Sequence, residues 1–107
     1  MVKAPKYRNV KTVVDGVTFD SKAEAKRWHE LRLLERAGLI SLLERQTPFK
    51  LFSNGVLITT YKADFTYLDH AKKSQVVEDV KGVKTPAYRI KAKMMAAQGT
   101  PITEVRA

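Results

Sequence analysis

The chain has 107 residues, of which 44% are hydrophobic and 29% charged, and these values predict one globular domain rather than two domains or a disordered segment. It contains no cysteine, which excludes disulfide scaffolds, thiolate zinc sites and cysteine nucleophiles. Twenty Lys and Arg against eleven Asp and Glu give a net charge of +9, which indicates either a polyanionic partner, usually nucleic acid, or a basic surface that only aids solubility.

The N-terminal segment, residues 1–11, is basic and contains no acid. Its cations are Lys3, Lys6, Arg8 and Lys11. They predict either an extended arm that lies on a phosphate backbone or a frayed, solvated terminus. Because no apolar run could span a bilayer and no signal-peptide pattern is present, we expect a soluble, cytoplasmic protein without membrane contacts. Residues 12–107 then form the single domain.

A hairpin and a helix are predicted at the start of the domain. Asp15-Gly16 is a two-residue turn signal between the β-branched residues of 12–19. Ser21 and Glu24 have the spacing of a capping box, so a helix should begin there and end near Gly38. We expect Trp28 in the apolar stripe of this helix.

Strands dominate the middle of the chain. Residues 40–44 and 49–52 predict two short strands, and a turn at 53–55 leads to a hairpin strand over 56–60. Residues 61–68 alternate, with Tyr61, Ala63, Phe65 and Tyr67 on one face and Lys62, Asp64, Thr66 and Leu68 on the other. We expect Asp69 in a polar turn, followed by a strand over 76–81.

The last elements predict a crossover. Thr85 and Pro86 are an N-cap and a first helical residue, and the helix should end at Gly99 before a strand over 102–105. The β-α-β passage predicts a parallel strand pair. The whole order predicts an α/β (α+β) domain with a mixed, twisted central sheet flanked by helices.

Two acids and a lysine are the candidate chemical centre. Asp79 and Lys81 share a strand face, and Asp64 lies beside Asp79 if the two strands form a hairpin. Adjacent carboxylates favour Mg²⁺ or Mn²⁺, which activates water for attack on a phosphate, and Lys81 could position that water or stabilise the developing charge. On spacing alone, ordinary strand acids paired with lysines are the simpler interpretation.

Longer stretches make the match more specific. They are Lys-Tyr-Arg-Asn at 6–9, Phe-Asp-Ser-Lys-Ala-Glu-Ala at 19–25, Tyr-Lys-Ala-Asp-Phe at 61–65 and Val-Glu-Asp-Val-Lys-Gly at 77–82. In this order they resemble a small bacteriophage and prophage family, largely of unknown function, of PD-(D/E)xK nucleases similar to Holliday junction resolvases. Ala63 stands where the superfamily motif has Pro. The resemblance implies a restriction-endonuclease-like core and a homodimeric, Mg²⁺-dependent endodeoxyribonuclease of DNA recombination, with Mn²⁺ as a substitute.

The resemblance also implies residue roles. Asp64 and Asp79 would bind metal, Lys81 would assist the attacking water, and Glu24 would reach the metal from the first helix. Glu24 is alternatively only the acid of the capping box. Strand alternation favours Asp79 over its neighbour Glu78, although a β-bulge would reverse the choice. Outside the site, Glu78 would be a surface acid paired with a lysine.

Cations after the catalytic strand are candidate DNA ligands. Tyr88 and Lys91 share a helix face that could hold a phosphate; alternatively, this is a solvated face with Ile90, Met94 and Ala97 turned to the core. Lys84, Arg89 and Lys93 would join the N-terminal Lys6, Arg8 and Lys11 on backbone phosphates. His29 and His70 lack partners at metal-ligand spacing and are predicted on the surface.

The favoured function is structure-selective cleavage of branched DNA, probed best with a four-way junction. The alternatives are a nicking, single-strand or flap nuclease of phage replication or recombination, and a non-catalytic basic DNA-binding protein with the same fold. One small domain cannot surround a junction, so we expect a homodimer. The hairpin over 49–61 and the first helix are the candidate interfaces.

Overall fold

The computed structural model describes residues 11–14 and 16–107. Most of the basic arm, with Lys6 and Arg8, and the turn residue Asp15 therefore lie outside the described residues. The elements in chain order are β1 (Thr12–Val14), β2 (Val17–Phe19), α1 (Lys22–Arg36), β3 (Ile40–Ser53), β4 (Val56–Asp69), β5 (Ser74–Lys81), α2 (Pro86–Ala97) and β6 (Thr103–Arg106).

The central sheet has four strands in the order β3-β4-β5-β6. β3, β4 and β5 pair antiparallel, whereas β5 and β6 pair parallel across α2, as the β-α-β pattern predicts. β1 and β2 form a separate antiparallel hairpin. The domain is thus a mixed α+β fold with a central mixed sheet flanked by helices. Within the described residues, no helix is long and apolar enough to cross a membrane.

Both helices begin and end where their capping residues predict. The Ser21 hydroxyl accepts the N–H of Glu24 at 3.1 Å, and α1 ends at Arg36, just before Gly38. The Thr85 hydroxyl accepts the N–H of Tyr88 at 3.1 Å, with Pro86 in the first turn of α2.

The core consists of two apolar clusters. One gathers α1, the β1–β2 hairpin and the sheet around Trp28, whose ring lies 6.0 Å from Phe19 and 5.8 Å from Phe65. The other joins the sheet to α2 through Leu51, Tyr61, Ala63, Val77, Tyr88 and Met95. All four residues that alternation placed together on one face of β4 are buried, but Phe65 and Tyr67 belong to the first cluster whereas Tyr61 and Ala63 belong to the second.

The prediction of two short strands over 40–44 and 49–52 is wrong, because both segments belong to β3. β3 is one strand of 14 residues that carries register shifts between Ser41 and Glu44 and between Leu51 and Phe52. The first shift puts Leu42 at φ 55° and leaves it 74% exposed, so the apolar residues fall out of phase with a period of two. Pro48 is tolerated because β3 is an edge strand.

The core face of α2 differs from the one in the alternative interpretation of this helix. Ile90 is 61% exposed and Ala97 is also exposed, although that alternative turned both toward the core. Tyr88 occupies the inward position instead, and positions four and seven residues later follow it. The resulting inner stripe is Tyr88, Ala92 and Met95, with Met94 partly buried beside it.

Candidate active site

The predicted acids meet because β4 and β5 form a hairpin. The last registered pair is Phe65 with Glu78, so the next step along both strands brings Asp64 beside Asp79. Together with Lys81 they line an open cleft of about 870 Å³ between α1, β4, β5 and α2. Glu24 lies in the wall contributed by α1. The cleft therefore brings together all four residues proposed for the chemistry.

Asp64 and Asp79 form a repulsive pair within hydrogen-bond reach. Burial, followed by the neighbouring Asp79, raises the pKa of Asp64 to about 7. The backbone N–H of Val80 donates to Asp64 Oδ2 at 2.8 Å and opposes this rise. Near pH 7 about half of the metal-free molecules therefore hold a proton on this pair, because two full charges destabilise the folded state.

Asp79 is held from two sides. The Tyr61 hydroxyl donates to its Oδ2, and Lys81 Nζ lies 3.1 Å from its Oδ1. Burial, and then this hydrogen bond, raises the pKa of Tyr61, so the phenol stays a donor. Because Asp79 is 4% exposed, these contacts fix the orientation of its carboxylate.

Lys81 rests on Tyr88 and does not project freely. Its Nζ lies 4.0 Å from the centroid of the Tyr88 ring, which is a cation–π contact. The Tyr88 hydroxyl donates to Glu104 Oε2 at 2.7 Å, and Lys84 Nζ lies 2.8 Å from Glu104 Oε1. Tyr88 is 6% exposed, so it supports Lys81 from the cleft wall and offers little surface to DNA.

Glu24 is buried and turned toward β3. Its Oε1 accepts a hydrogen bond from Gln46 Nε2 at 3.3 Å, whereas the helix cap uses the backbone N–H of Glu24. Burial, and then the nearby Asp20, raises the pKa of Glu24. Among the described residues, no three Asp, Glu, His or Cys side chains stand close enough to form a ready-made metal site. The structure thus pairs Asp64 with Asp79 and leaves Glu24 farther out.

Glu78 points away from the cleft, as strand alternation predicts. The expectation that it is a surface acid paired with lysine is wrong, because it is 1% exposed and pairs with an arginine. Arg27 Nε and one terminal nitrogen donate to its two oxygens at 2.8 and 2.7 Å, and the Tyr67 hydroxyl donates to Oε2. The inner face of β5 could accommodate this acid only with such a partner.

The candidate DNA ligands lie either at or next to the cleft or on exposed surfaces outside it. Lys91 lines the cleft, and Lys84, although ion-paired, has a side chain that is nearly half exposed. Lys11 is exposed at the edge of the described chain. Arg89 and Lys93 are exposed on α2, and both histidines are exposed as predicted. Lys91 therefore adds a positive charge to the cleft, whereas the charge of Lys84 is paired with Glu104.

A family model described as a protein of unknown function (DUF1064) matches residues 4–106. The chain belongs to this family. No curated protein and no solved structure matches it. The match extends over both helices, the sheet, and Glu24, Asp64, Asp79 and Lys81 of the cleft, so it covers the domain and not an isolated motif.

Three supporting residues were missed from the sequence: Tyr61, Gln46 and Arg27. Tyr61 carried a usable signal, because a tyrosine at a buried position of an alternating strand needs a partner for its hydroxyl. Gln46 lies in the irregular strand β3 at φ 56°, where no alternation rule assigns its direction. Arg27 is one of several cations on α1, and only the tertiary contact with Glu78 distinguishes it.

Proposed function

We propose that this protein is a metal-dependent endonuclease that hydrolyses phosphodiester bonds in DNA, and that its sheet and helices form a restriction-endonuclease-like core. The observation that carries the proposal is the single cleft that gathers Asp64, Asp79, Lys81 and Glu24 in a chain with a net charge of +9. Clustered acids oppose the binding of a polyanion unless a cation neutralises them. A basic protein with such a cleft is therefore suited to act on phosphates with a divalent metal.

The donor set fits Mg²⁺ or Mn²⁺. Carboxylate oxygens are the ligands that these cations prefer, and Mg²⁺ typically takes one or two carboxylates and keeps several waters. Asp64 and Asp79 would hold the ion, because a cation offsets both the burial of the Asp64 charge and its repulsion from Asp79, which together raise the pKa of Asp64. When bound, the ion would supply a Lewis acid that activates water and neutralises charge on the phosphate.

The chain's own residues supply orientation and a cation. Tyr61 keeps one oxygen of Asp79 fixed, so the carboxylate needs little reorganisation when it binds a ligand. Lys81 can donate to the attacking water or to a phosphate oxygen, and the Tyr88 ring limits its movement. Glu24 would complete or orient the metal ligands from α1. Lys91 would contact a backbone phosphate at the cleft.

The proposed substrate is branched DNA, with a four-way junction as the favoured form. The available cations contact phosphates and carry no sequence information, so selection by DNA shape is expected. Two copies would place two clefts on two strands with matching symmetry. β5 pairs with β4 only over residues 65–69, so the β3–β4 hairpin extends beyond the sheet. Its exposed apolar tip is the proposed dimer contact: Phe52, Val56, Leu57 and Ile58.

A cleavage assay tests the proposal. Labelled four-way junction, flap, duplex and single strand are incubated with Mg²⁺, Mn²⁺ or EDTA. Asp79→Ala runs beside Glu44→Ala, a matched control in which an exposed strand acid outside the cleft is removed. We expect symmetric junction cutting that EDTA and Asp79→Ala abolish and Glu44→Ala retains.

The other results are equally informative. Cutting of flaps or single strands that is lost in Asp79→Ala would keep the active site and reject the junction as substrate. Tight DNA binding without metal, and no cutting with either ion, would reject the nuclease and favour a non-catalytic DNA-binding protein.

A further inference from the structure

An ion pair links the two elements that carry Glu24 and Asp79. Arg27 lies three residues after Glu24 on α1, and Glu78 directly precedes Asp79 on β5. Arg27 donates to both oxygens of Glu78 at 2.8 and 2.7 Å. Each partner is therefore within one helical turn or one residue of an acid of the cleft.

The geometry of this pair makes it rigid. A planar guanidinium and a planar carboxylate with two parallel hydrogen bonds allow little rotation or sliding. The Tyr67 hydroxyl gives Glu78 Oε2 a second donor, and Glu78 is 1% exposed. By contrast, the contact of Arg27 with Glu30 is a 3.8 Å surface pair on the same helix. The contact with Glu78 therefore fixes the side chain of Arg27.

Neither partner lines the cleft, so neither is placed to touch a metal ion bound there. An ion pair buried beside a sheet is weak evidence for stability, because apolar residues of similar volume often serve equally well. The pair needs another role, and its position suggests one. It is a cross-link between the helix that bears Glu24 and the strand that bears Asp79.

We propose that Arg27 and Glu78 are positioning residues: they fix α1 against β5 and so keep Glu24 at the wall of the cleft, from which it can complete the ligands of a divalent cation bound by Asp64 and Asp79. This inference rests on the proposed function, since it concerns the same metal centre. Without the pair, α1 keeps its apolar packing through Trp28 and Leu31 but can shift relative to β5. The cation would then bind through Asp64 and Asp79 alone and with lower affinity.

The test replaces the whole polar cluster by apolar residues. In the triple variant Arg27→Met, Tyr67→Phe, Glu78→Leu, no buried charge or hydroxyl is left without a partner, so the fold is retained. Arg27→Lys keeps the charge but loses the two parallel hydrogen bonds. The matched control is Arg32→Met, which removes a cation of α1 that pairs with Glu35 at 3.9 Å.

Mn²⁺ affinity is measured by titration calorimetry, melting temperature is measured in EDTA, and cleavage is followed across Mn²⁺ concentration. We expect the dissociation constant for Mn²⁺ to rise at least tenfold in the triple variant and several-fold in Arg27→Lys, with Arg32→Met unchanged. Cleavage by the triple variant should recover at high Mn²⁺, which a loss of folding would not permit.

Two outcomes would overturn the inference. One is a folded triple variant whose Mn²⁺ affinity is within twofold of the wild-type value, which would leave the ion pair a purely structural contact. The other is a lower affinity that also appears in Arg32→Met. If the wild-type protein itself binds no Mn²⁺, the proposed function fails first, and the two failures are thereby distinguished.

Discussion

Replacing Asp64 with Asn is expected to stabilise the metal-free protein while it removes metal binding. The change deletes one charge of the repulsive pair with Asp79. It conserves shape, and the amide oxygen can still accept the hydrogen bond that Val80 N–H donates at 2.8 Å. The substitution therefore removes two electrostatic costs, which are the burial of the Asp64 charge and its repulsion from Asp79.

The magnitude follows from the raised pKa of Asp64. The carboxyl titrates at 3.8 when unperturbed and at about 7 in the folded protein. At about 1.36 kcal/mol per pH unit, this difference is an upper bound of about 4 kcal/mol at pH 8. Because solvent reaches the half-buried side chain, we expect about 2 kcal/mol, or a rise of roughly 10 °C in melting temperature for a domain of this size.

The pH dependence has a definite sign. Below the unfolded value of 3.8 the carboxyl is protonated in both states, and Asp64 has no effect on stability. As pH rises toward 7 the folded state holds a proton that the unfolded state has released, so wild-type stability falls. The advantage of Asp64→Asn should therefore be absent near pH 4 and complete above pH 7.

Thermal unfolding in EDTA at pH 4, 6 and 8 measures this advantage, with Glu44→Gln as the matched control at an exposed acid. In a second series with Mn²⁺, the wild-type protein should melt at a higher temperature than Asp64→Asn at pH 8, because only the wild-type protein gains stability from a bound ion. An Asp64→Asn protein that melts below wild type at pH 8 in EDTA would refute the reasoning. It would mean that the pair stabilises the fold without metal.

Three further substitutions separate the roles of the cleft and the hairpin. Lys81→Met should lower cleavage about 100-fold or more. Mn²⁺ binding in calorimetry should not weaken, because Asp79 Oδ1 loses Lys81 Nζ, a competing partner at 3.1 Å. Weaker Mn²⁺ binding would instead make Lys81 part of the metal site. Tyr61→Phe should cost about 1 kcal/mol of stability and reduce single-turnover cleavage about tenfold, because Asp79 loses a buried donor; unchanged cleavage would count against positioning by Tyr61. Ile58→Glu should convert a dimer to a monomer in sedimentation velocity, since Ile58 is 55% exposed at the hairpin tip; a persistent dimer would direct attention to α1.

The backbone rules predicted the placement of the acids well. Alternation along β5 separated Asp79 from Glu78, and the hairpin of β4 with β5 brought Asp64 beside Asp79. Both are local consequences of strand geometry, which a short sequence determines. The capping signals at Ser21 and Thr85 predicted the helix starts for the same reason.

The supporting contacts could not be predicted in this way. Arg27 and Glu78 are 51 positions apart, and their pairing depends on how α1 packs against the sheet. Gln46 contacts Glu24 from a strand whose register shifts twice, so the alternation of side chains along a regular strand does not predict which way Gln46 points. The exposure of Ile90 has a similar origin, because the core contact of Tyr88 sets the rotation of α2.

Adjacent residues of β5 show what distinguishes a structural acid from a functional one. Glu78 is buried with a bidentate arginine and a tyrosine, so its charge is compensated within the fold. Asp79 has one lysine contact and one hydroxyl donor, but it also faces a second acid that must keep a proton near pH 7 to coexist with it. Selection for stability alone would favour an amide at position 64, which the chain lacks. An acid at position 64 that lowers the stability of the metal-free protein is explained if a divalent cation binds to it during function and neutralises its charge.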